Sequence, residues 1–279
     1  MSLNSANAKD LAPSDLSAPA PLASLRGVDK VFANGLEALM GLDIEVREGE
    51  FLSLLGPSGC GKSTALRLLA GLTTPTRGEI DWRGGRRALS FVFQEPTLMP
   101  WATVFANVWL PLRLGGISKD MARSRVEEAL DMVGLSGFAK AYPRELSGGM
   151  KMRASIARAL VTRPTALLMD EPFAALDEIT RLRLNDDLLA LRSALGATVV
   201  FVTHSVFESV YLSTRIVIMA PRPGRAVAEI VVDASAPRNE EFRISRGYAE
   251  KCRETSSALH EAMALPREPE SSSVKGARA

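Results

Sequence analysis

The stretch that decides the fold of this chain is Gly56-Pro57-Ser58-Gly59-Cys60-Gly61-Lys62-Ser63-Thr64, a complete G-x-x-x-x-G-K-[ST] phosphate-binding loop. The apolar run 51–55 before it predicts a buried strand, and residues 65–70 after it predict a helix. The glycines let backbone N–H groups converge on phosphate oxygens, and the helix presents its positive end to the same anion. Lys62 can reach the β- and γ-phosphates, and the Ser63 hydroxyl can ligate Mg²⁺. The loop therefore predicts a chain that binds a nucleoside triphosphate.

A pair of acids follows a second apolar run at residues 166–169. Asp170 can hold Mg²⁺ beside Ser63, and Glu171 is suited to orienting or deprotonating an attacking water. Many strands end in a solvated aspartate, so this motif is weak by itself. It gains weight because it lies downstream of the phosphate loop, and both can then share the carboxyl edge of one parallel sheet.

A second place that favours an anion is the segment Leu146-Ser147-Gly148-Gly149-Met150. Ser147 is predicted to cap a helix that runs to Leu160, and the two glycines leave backbone amides open at its start. One nucleotide cannot occupy both this site and the phosphate loop unless the two are adjacent. Alternatively, the second site serves a nucleotide held by another subunit, and the residues alone leave both possibilities open.

Together and in this order, the motifs resemble the ATP-binding cassette (ABC) family, in which Leu-Ser-Gly-Gly-Gln is the signature motif. The similarity is closest to the ATPase subunits of bacterial nitrate/sulfonate/taurine-type importers, and it covers residues 22–232. It implies four further roles. These are Gln94 as the Q-loop glutamine that contacts Mg²⁺ and senses a transmembrane partner, Asp177 in the D-loop, His204 as the switch histidine near the γ-phosphate, and Phe32 as a platform for adenine.

The same resemblance implies which residues form the complete site. The catalytic residues would be Glu171, His204 and Gln94, and the Mg²⁺ ligands would be Ser63, Gln94 and Asp170. The nucleotide would be held by Phe32, Gly56, Pro57, Ser58, Gly59, Cys60, Gly61, Lys62, Ser63, Thr64, Ser147, Gly148, Gly149 and Asp177.

The resemblance also implies partners. Two copies would pair head to tail, so that Lys62 of one subunit and Ser147 and Gly149 of the other enclose each ATP. The pair would sit on the permease subunits of a transporter, at the cytoplasmic face of the membrane, and would serve a solute-binding protein indirectly. Met150 and Met152 stand where the family often has glutamine, so hydrogen bonding around the signature helix should differ, because a thioether is only a weak acceptor.

Composition agrees with such a subunit. A chain of 279 residues with 46% hydrophobic content can form one large α/β domain with a subdomain. A net charge of +2 gives no case for nucleic acid as a partner. Two cysteines make no disulfide framework and suit a reducing cytoplasm. The chain has no uncharged apolar run of about 18 residues or more, which predicts no membrane-spanning helix. Its N-terminal stretch does not read as a secretory signal.

The expected fold class is α/β, with a P-loop NTPase core and a mostly parallel sheet, an N-terminal antiparallel β-subdomain and an inserted helical subdomain. Strands are predicted at 22–32 and 36–46 around an Asn34-Gly35 turn, and then at 88–93, 166–170, 198–202, 215–220 and 227–232. Helices are predicted at 119–133 and at about 178–195. The ATPase domain would span 22–232, with its helical subdomain at about 95–160. A helical extension would occupy 233–265, and disordered tails would occupy 1–21 and 266–279.

Three segments carry more specific expectations. In the uncharged stretch 96–112, the residues Val104, Val108 and Leu112 should face inward, while Leu98, Met99 and Trp101 lie partly at a docking surface for a permease. Cys60, close to a helix N-terminus and to Lys62, is predicted to have a lowered thiol pKa and to react readily. In the extension, one helix face that packs on its own domain is predicted from Phe242, Ala249, Cys252, Leu259 and Met263.

Other classes of protein share these motifs. An ABC exporter ATPase has every catalytic motif found here. A soluble ABC ATPase of DNA repair or translation would normally show a long coiled-coil insertion, a Cys-x-x-Cys hook or a second cassette. A regulator that binds ATP without hydrolysing it would not need Glu171.

Overall fold

The computed structural model describes residues 21–85, 89–233 and 237–265. The strands are β1 (Pro21–Val31), β2 (Glu37–Arg47), β3 (Phe51–Leu55), β4 (Arg77–Trp82), β5 (Leu89–Val92), β6 (Ala166–Asp170), β7 (Thr198–Thr203), β8 (Arg215–Met219) and β9 (Ala226–Val231). The α-helices are α1 (Lys62–Leu69), α2 (Val104–Leu114), α3 (Lys119–Met132), α4 (Gly148–Leu160), α5 (Glu178–Leu195), α6 (Val206–Leu212), α7 (Glu240–Arg243) and α8 (Arg246–Ala264). The tails predicted to be disordered, apart from Pro21, lie outside the described residues, as does Ala88.

The N-terminal strands form an antiparallel sheet in the order β2-β1-β4. β1 and β2 join through the predicted turn, where Gly35 has a φ of 82° and the Phe32 N–H donates to the Leu36 carbonyl oxygen. The sequence did not predict β4, because its residues are mostly exposed and only Trp82 is buried. The Trp82 indole donates to the Leu69 carbonyl oxygen and so fastens this sheet to the end of α1.

The central sheet has the order β5-β6-β7-β3-β8-β9. Its first five strands are parallel, and β9 runs antiparallel to β8 at the edge. Every residue of β3, β6, β7 and β8 is buried, as expected for strands that are covered on both faces. The predicted mostly parallel sheet is confirmed, and the ends of β3, β5, β6 and β7 meet at one edge.

Two hydrophobic clusters cover the two faces of this sheet. One contains Phe51 and Leu55 and continues into α2, α3 and α4. The other contains Leu52 and Leu54 and includes α1 and the antiparallel sheet. Successive side chains of a strand point to opposite faces, so neighbouring residues of β3 anchor both clusters. The phosphate loop after β3 is thus held between two packed layers.

Helices α2, α3 and α4 form the helical insertion between β5 and β6. Val104, Val108 and Leu112 are buried on α2, as predicted. Trp101, just before α2, is 77% exposed, while Leu98 and Met99 are half-buried. The insertion therefore keeps its own core and leaves an indole on the surface.

The C-terminal extension folds back onto its own domain, as predicted, with α8 against α6 and β8. Its predicted face was wrong by one position at each end. Tyr248 and Ala262 are buried, whereas Ala249 and Met263 are exposed. The reason is that Ser245 caps and starts α8 separately from α7, so Phe242 belongs to the shorter helix and does not set the register of α8. Within the described residues, no helix combines the length and the apolar character that crossing a bilayer requires.

Candidate functional site

The phosphate loop connects β3 to α1 and leaves the start of α1 open. Gly61 is the N-cap residue of α1, with a φ of 96°. Because glycine has no side chain, no side-chain hydrogen bond caps this helix. A Cβ at Gly61 would lie 2.7 Å from the Ala38 carbonyl oxygen, so the position requires glycine. The start of α1 therefore has no side-chain cap and can present backbone N–H groups to an anion beside exposed Ser58 and Gly59.

Lys62 is buried at the mouth of this loop. Its ammonium donates to the carbonyl oxygens of Gly56, at 2.7 Å, and Pro57, at 3.0 Å. It also lies 3.8 Å from Glu171 Oε1. The Lys62 ammonium is thus held between the phosphate loop and Glu171, which follows β6. At this position it could donate hydrogen bonds to phosphate oxygens.

Ser63 and Asp170 meet across the loop. The Ser63 hydroxyl donates to Asp170 Oδ1 at 2.6 Å, and Asp170 is buried at the end of β6. Burial raises the pKa of Asp170, and the Ser63 hydrogen bond and the Arg67 guanidinium at 3.9 Å oppose that rise. A hydroxyl and a carboxylate that converge in this way are oxygen ligands of the kind Mg²⁺ prefers, so the donor set fits this ion.

Glu171 and His204 form a second pair beside Lys62. Glu171 Oε2 lies 3.1 Å from His204 Nδ1. Glu171 has a φ of 44°, a left-handed conformation that is uncommon outside glycine, and its N–H donates to the Val202 carbonyl oxygen. This backbone turns the carboxylate away from the strand and toward the histidine after β7.

The predicted reactivity of Cys60 is wrong. The residue is 1% exposed, and burial raises the pKa of its thiol, against the lowering effect of Lys62. Its sulfur points inward, because a Cβ added at Gly56 would lie 2.8 Å from Cys60 Sγ. Cys60 fills space under the loop, while its neighbours Thr64 and Pro57 stay partly accessible.

The signature segment lies beside the D-loop. The Ser147 hydroxyl accepts the Met150 N–H and caps α4, as predicted. A Cβ at Gly149 would lie 2.7 Å from Thr180 Cγ2, and Gly148 faces Leu176. Asp177 caps α5 by accepting the Thr180 N–H, which holds the pKa of Asp177 below its usual range.

The phosphate loop has no such contact with the signature. Across residues 21–85, 89–233 and 237–265, no hydrogen bond or ion pair joins Ser147, Gly148 or Gly149 to that loop. The two anion-seeking segments are therefore not joined by polar contacts within one copy of the chain.

Gln94 and Phe32 are both exposed on the surface. Gln94 is exposed two residues beyond β5, and β5 pairs with β6, which ends at Asp170. Gln94 and Asp170 therefore lie at the same edge of the sheet. Phe32 is 39% exposed just after β1, with the Lys30 ammonium 5.3 Å from its ring centroid.

Sequence reasoning missed several residues that support the site. Arg158 on α4 donates to the carbonyl oxygens of Pro96 and Thr97, beyond Gln94. A charged residue in the small, apolar run Ile156–Leu160 was the available signal. Arg222 donates to the Gly59 carbonyl oxygen, and it stands too far along the chain for any spacing rule to find it.

The end of α8 reaches the back of the phosphate loop. Met263 and Leu265 line a cavity of about 410 Å³ together with the loop residues 57–60 and Arg222. The end of the extension therefore faces the phosphate loop across this cavity, an arrangement that no pattern in the sequence predicted.

Comparison with known proteins identifies the family of the chain. The profile of the family described as "ABC transporter" matches residues 39–174. An uncharacterized ABC transporter ATP-binding protein of Methanocaldococcus jannaschii is 46% identical over 223 residues, which cover 77% of this chain and 84% of the relative. The aliphatic sulfonates import ATP-binding protein SsuB 1 of Pseudomonas savastanoi pv. phaseolicola is 47% identical over 223 residues, or 79% of this chain and 90% of the relative.

A solved structure shares the fold. It is a dimeric ATP-binding cassette in a post-hydrolysis state, bound to ADP and phosphate, with a TM-score of 0.68 and 35% identity. The match covers 76% of this chain and 99% of the solved one. With these relatives matched over most of their length and the phosphate loop, acid pair and signature in place, the chain belongs to the family of ABC transporter ATP-binding proteins.

Proposed function

We propose that this chain hydrolyses ATP to power an importer of the bacterial type for a small sulfonate-, nitrate- or taurine-like solute, as a head-to-tail dimer on membrane permease subunits. The observation that carries the hydrolytic part is the convergence of Lys62, Glu171 and His204 beside the phosphate loop. The importer part is supported by relatives that are named for aliphatic sulfonate import.

In the proposed hydrolysis, the loop amides and Lys62 balance the charge of the triphosphate. Glu171, oriented by His204, accepts a proton from water as the water oxygen bonds to the γ-phosphorus. The bond between the γ-phosphorus and the bridging oxygen breaks, and ADP leaves. Ser63 and Asp170 would hold Mg²⁺, with Gln94 nearby, and the ion would neutralise charge on the β- and γ-phosphates.

The proposed dimer uses the signature in trans. Gly149 lies against Thr180, whose N–H donates to Asp177. Among the described residues, no hydrogen bond or ion pair joins Ser147 or Gly149 to their own phosphate loop. In a head-to-tail pair these residues would face the nucleotide bound by the phosphate loop of the other subunit, and Phe32 of that other subunit would lie against its adenine. The dimeric structure of the 35% identical cassette supports this assembly.

The proposed permease site is a groove between β5, α2 and α4. Its cavity of about 370 Å³ is lined by Phe93, Thr97, Leu110, Leu114 and Arg158, among others. Leu114 is 80% exposed at its rim, and Trp101 lies exposed before α2. An apolar rim of this kind suits a helix from a membrane partner, which would place the subunit at the cytoplasmic face of the membrane.

Reconstitution tests this function. The chain is co-expressed with the permease encoded beside it, placed in proteoliposomes with ATP inside, and supplied with the matching solute-binding protein and a labelled alkanesulfonate, taurine or nitrate. We expect ATP-dependent uptake that Lys62→Ala abolishes, because a charge-assisted contact to phosphate is lost. ATP-driven efflux would make the subunit part of an exporter. ATP hydrolysis with no association to the permease would favour a soluble ABC ATPase.

A further inference from the structure

We propose that Arg158 is a positioning residue that couples the Q-loop to the signature helix, so that the permease groove and the signature move together. This inference rests on the proposed function for its link to a permease. Its first part, the coupling of Thr97 to Arg158, concerns only ATP hydrolysis by the subunit itself.

The guanidinium of Arg158 donates hydrogen bonds to the Q-loop, the segment that begins at Gln94 and includes Pro96 and Thr97. Nη1 donates to the Thr97 carbonyl oxygen at 2.8 Å, and Nη2 donates to Thr97 Oγ1 at 2.8 Å and to the Pro96 carbonyl oxygen at 3.0 Å. Nη2 also lies 3.3 Å from Ser155 Oγ on its own helix. A planar fork with several donors matches such a set of acceptors, which a lysine could not reach at once.

This arrangement is costly for a charged group. Burial lowers the pKa of Arg158, and in the described part of the chain no carboxylate lies within ion-pair distance of its guanidinium. A half-buried charge without a counter-ion depends on its hydrogen bonds. The loop acceptors and the arginine therefore hold each other in place.

The loop on the other side is also strained. Thr97 has a φ of 46°, a left-handed conformation that is an outlier for a β-branched residue. Such a conformation persists only where the surroundings fix it. The two bonds from Arg158 to Thr97 are the contacts that fix it, since both its carbonyl and its hydroxyl are engaged.

The position of this link explains what it would transmit. Thr97 lies three residues after Gln94, and Arg158 lies 11 residues after Ser147 on the rigid helix α4, about 16 Å along its axis. Thr97 and Arg158 also share the wall of the proposed permease groove. A shift of the loop, from the nucleotide or from a docked helix, therefore acts directly on the helix that begins at the signature.

A double-mutant cycle on the isolated subunit tests the first part. Arg158→Lys keeps the charge and loses the fork, and Thr97→Gly relieves the strained φ and removes the hydroxyl. We expect Arg158→Lys to lower kcat about tenfold with KM for ATP within about twofold, because Arg158 bonds Pro96, Thr97 and Ser155 and has no role in the proposed nucleotide site. In the Arg158→Lys background, Thr97→Gly should cost little more. A normal kcat for Arg158→Lys, or losses that multiply across the cycle, would overturn the proposal.

The matched control is Arg153→Lys on the same helix. Arg153 bonds the Val133 carbonyl oxygen and Asp187, away from the Q-loop, so its loss tests a merely structural effect. If both variants lower kcat only in step with their melting temperatures, Arg158 is structural and the proposal fails.

The second part is measured in the reconstituted complex. We expect the Arg158→Lys complex to assemble but to lose most of the stimulation of ATPase activity by the loaded solute-binding protein, while Arg153→Lys keeps it. Full stimulation in the Arg158→Lys complex would overturn this part. A wild-type complex that is not stimulated counts against the proposed function instead, and the cycle on the isolated subunit still decides the coupling of Thr97 to Arg158.

Discussion

At the scale of single residues, the site depends on the positions and backbone conformations of two consecutive acidic residues, Asp170 and Glu171. Asp170 closes a buried strand, and Glu171 leaves it in a left-handed conformation that brings its carboxylate to His204 and Lys62. Asp170 and Glu171 are adjacent in the chain, but their side chains lie in different environments. We therefore expect the two acids to fail in different ways when they are replaced.

Glu171→Gln keeps the shape of the side chain and removes the base. We expect ATP binding to persist while hydrolysis falls by about 10²-fold or more, and an ATP-bound dimer to accumulate on gel filtration with Mg-ATP. Glu127→Gln, exposed on α3, is the control and should change neither property. Near-normal turnover, or a monomer only, would remove Glu171 from the catalytic role.

The residue types of the phosphate loop could be read from the sequence, whereas the direction of a side chain could not. Cys60 occupies a loop position that favours a reactive thiol, yet its sulfur is packed under Gly56 in the core. Burial outweighs both Lys62 and the helix N-terminus and raises the thiol pKa. Motif spacing carries no information about that choice of direction.

At the scale of elements, α4 presents the signature from a capped N-terminus. Ser147→Arg should abolish hydrolysis yet leave the nucleotide affinity of the dilute monomer within about twofold, because Ser147 would act on the nucleotide of the partner. Loss of the cap alone costs about 1 kcal/mol of stability.

Ser118→Arg is the matched control for this change. Ser118 caps α3 through the Met121 N–H in the same way, but it lies outside the signature. It should lose stability and keep its specific activity. A large loss of nucleotide affinity in monomeric Ser147→Arg would mean that Ser147 acts in cis, and the head-to-tail dimer would be wrong.

The segment before α2 makes a separate prediction. Trp101 is largely exposed, so Trp101→Ala should leave the melting temperature and basal ATPase of the subunit almost unchanged while it weakens co-purification with the permease. Leu112→Ala, buried on α2, should instead destabilise the fold by about 2–5 kcal/mol. Normal co-purification and full transport by Trp101→Ala would rule out the docking role of the indole.

The elements that could be predicted are those with a strong period or cap. Helix α5 has the predicted bounds of Glu178–Leu195, since Asp177 and Gly196 mark its ends. Strand β4 could not be predicted, because its pairing with β1 is supplied by tertiary contact rather than by apolar alternation. The register of α8 failed for a different reason, because the Ser245 side chain accepts the Tyr248 N–H and starts α8 separately from α7.

At the scale of the whole molecule, an aromatic stack joins the extension to the core. The Arg243 guanidinium lies 3.5 Å over the Tyr211 ring, and Phe242 packs between Tyr211 and Tyr248. The hydroxyl of Tyr211, a fully buried residue, lies 2.5 Å from Asp186 Oδ1. This junction makes α7 and α8 part of the same folded body as α5 and α6.

Stability should therefore fall at alkaline pH. Burial, and next the hydrogen bond to Asp186, raise the pKa of Tyr211 to about 12, whereas an unfolded tyrosine ionises near pH 10. Its contribution is complete below about pH 10 and is lost as pH rises toward 12, by up to about 2–3 kcal/mol. Urea unfolding from pH 8 to 12 should show a shallower loss for Tyr211→Phe than for the wild type. Parallel curves for the two proteins would contradict this assignment.

The end of α8 beside the phosphate loop has a practical consequence. Met263 is 53% exposed and borders the same cavity as Ser58 and Gly59, while Cys60 and Cys252 are both buried. A fluorophore coupled through Met263→Cys would therefore attach at one place only, at the cavity that the phosphate loop also lines. The extension thus provides a labelling site at which fluorescence emission could report the binding and turnover of ATP in real time.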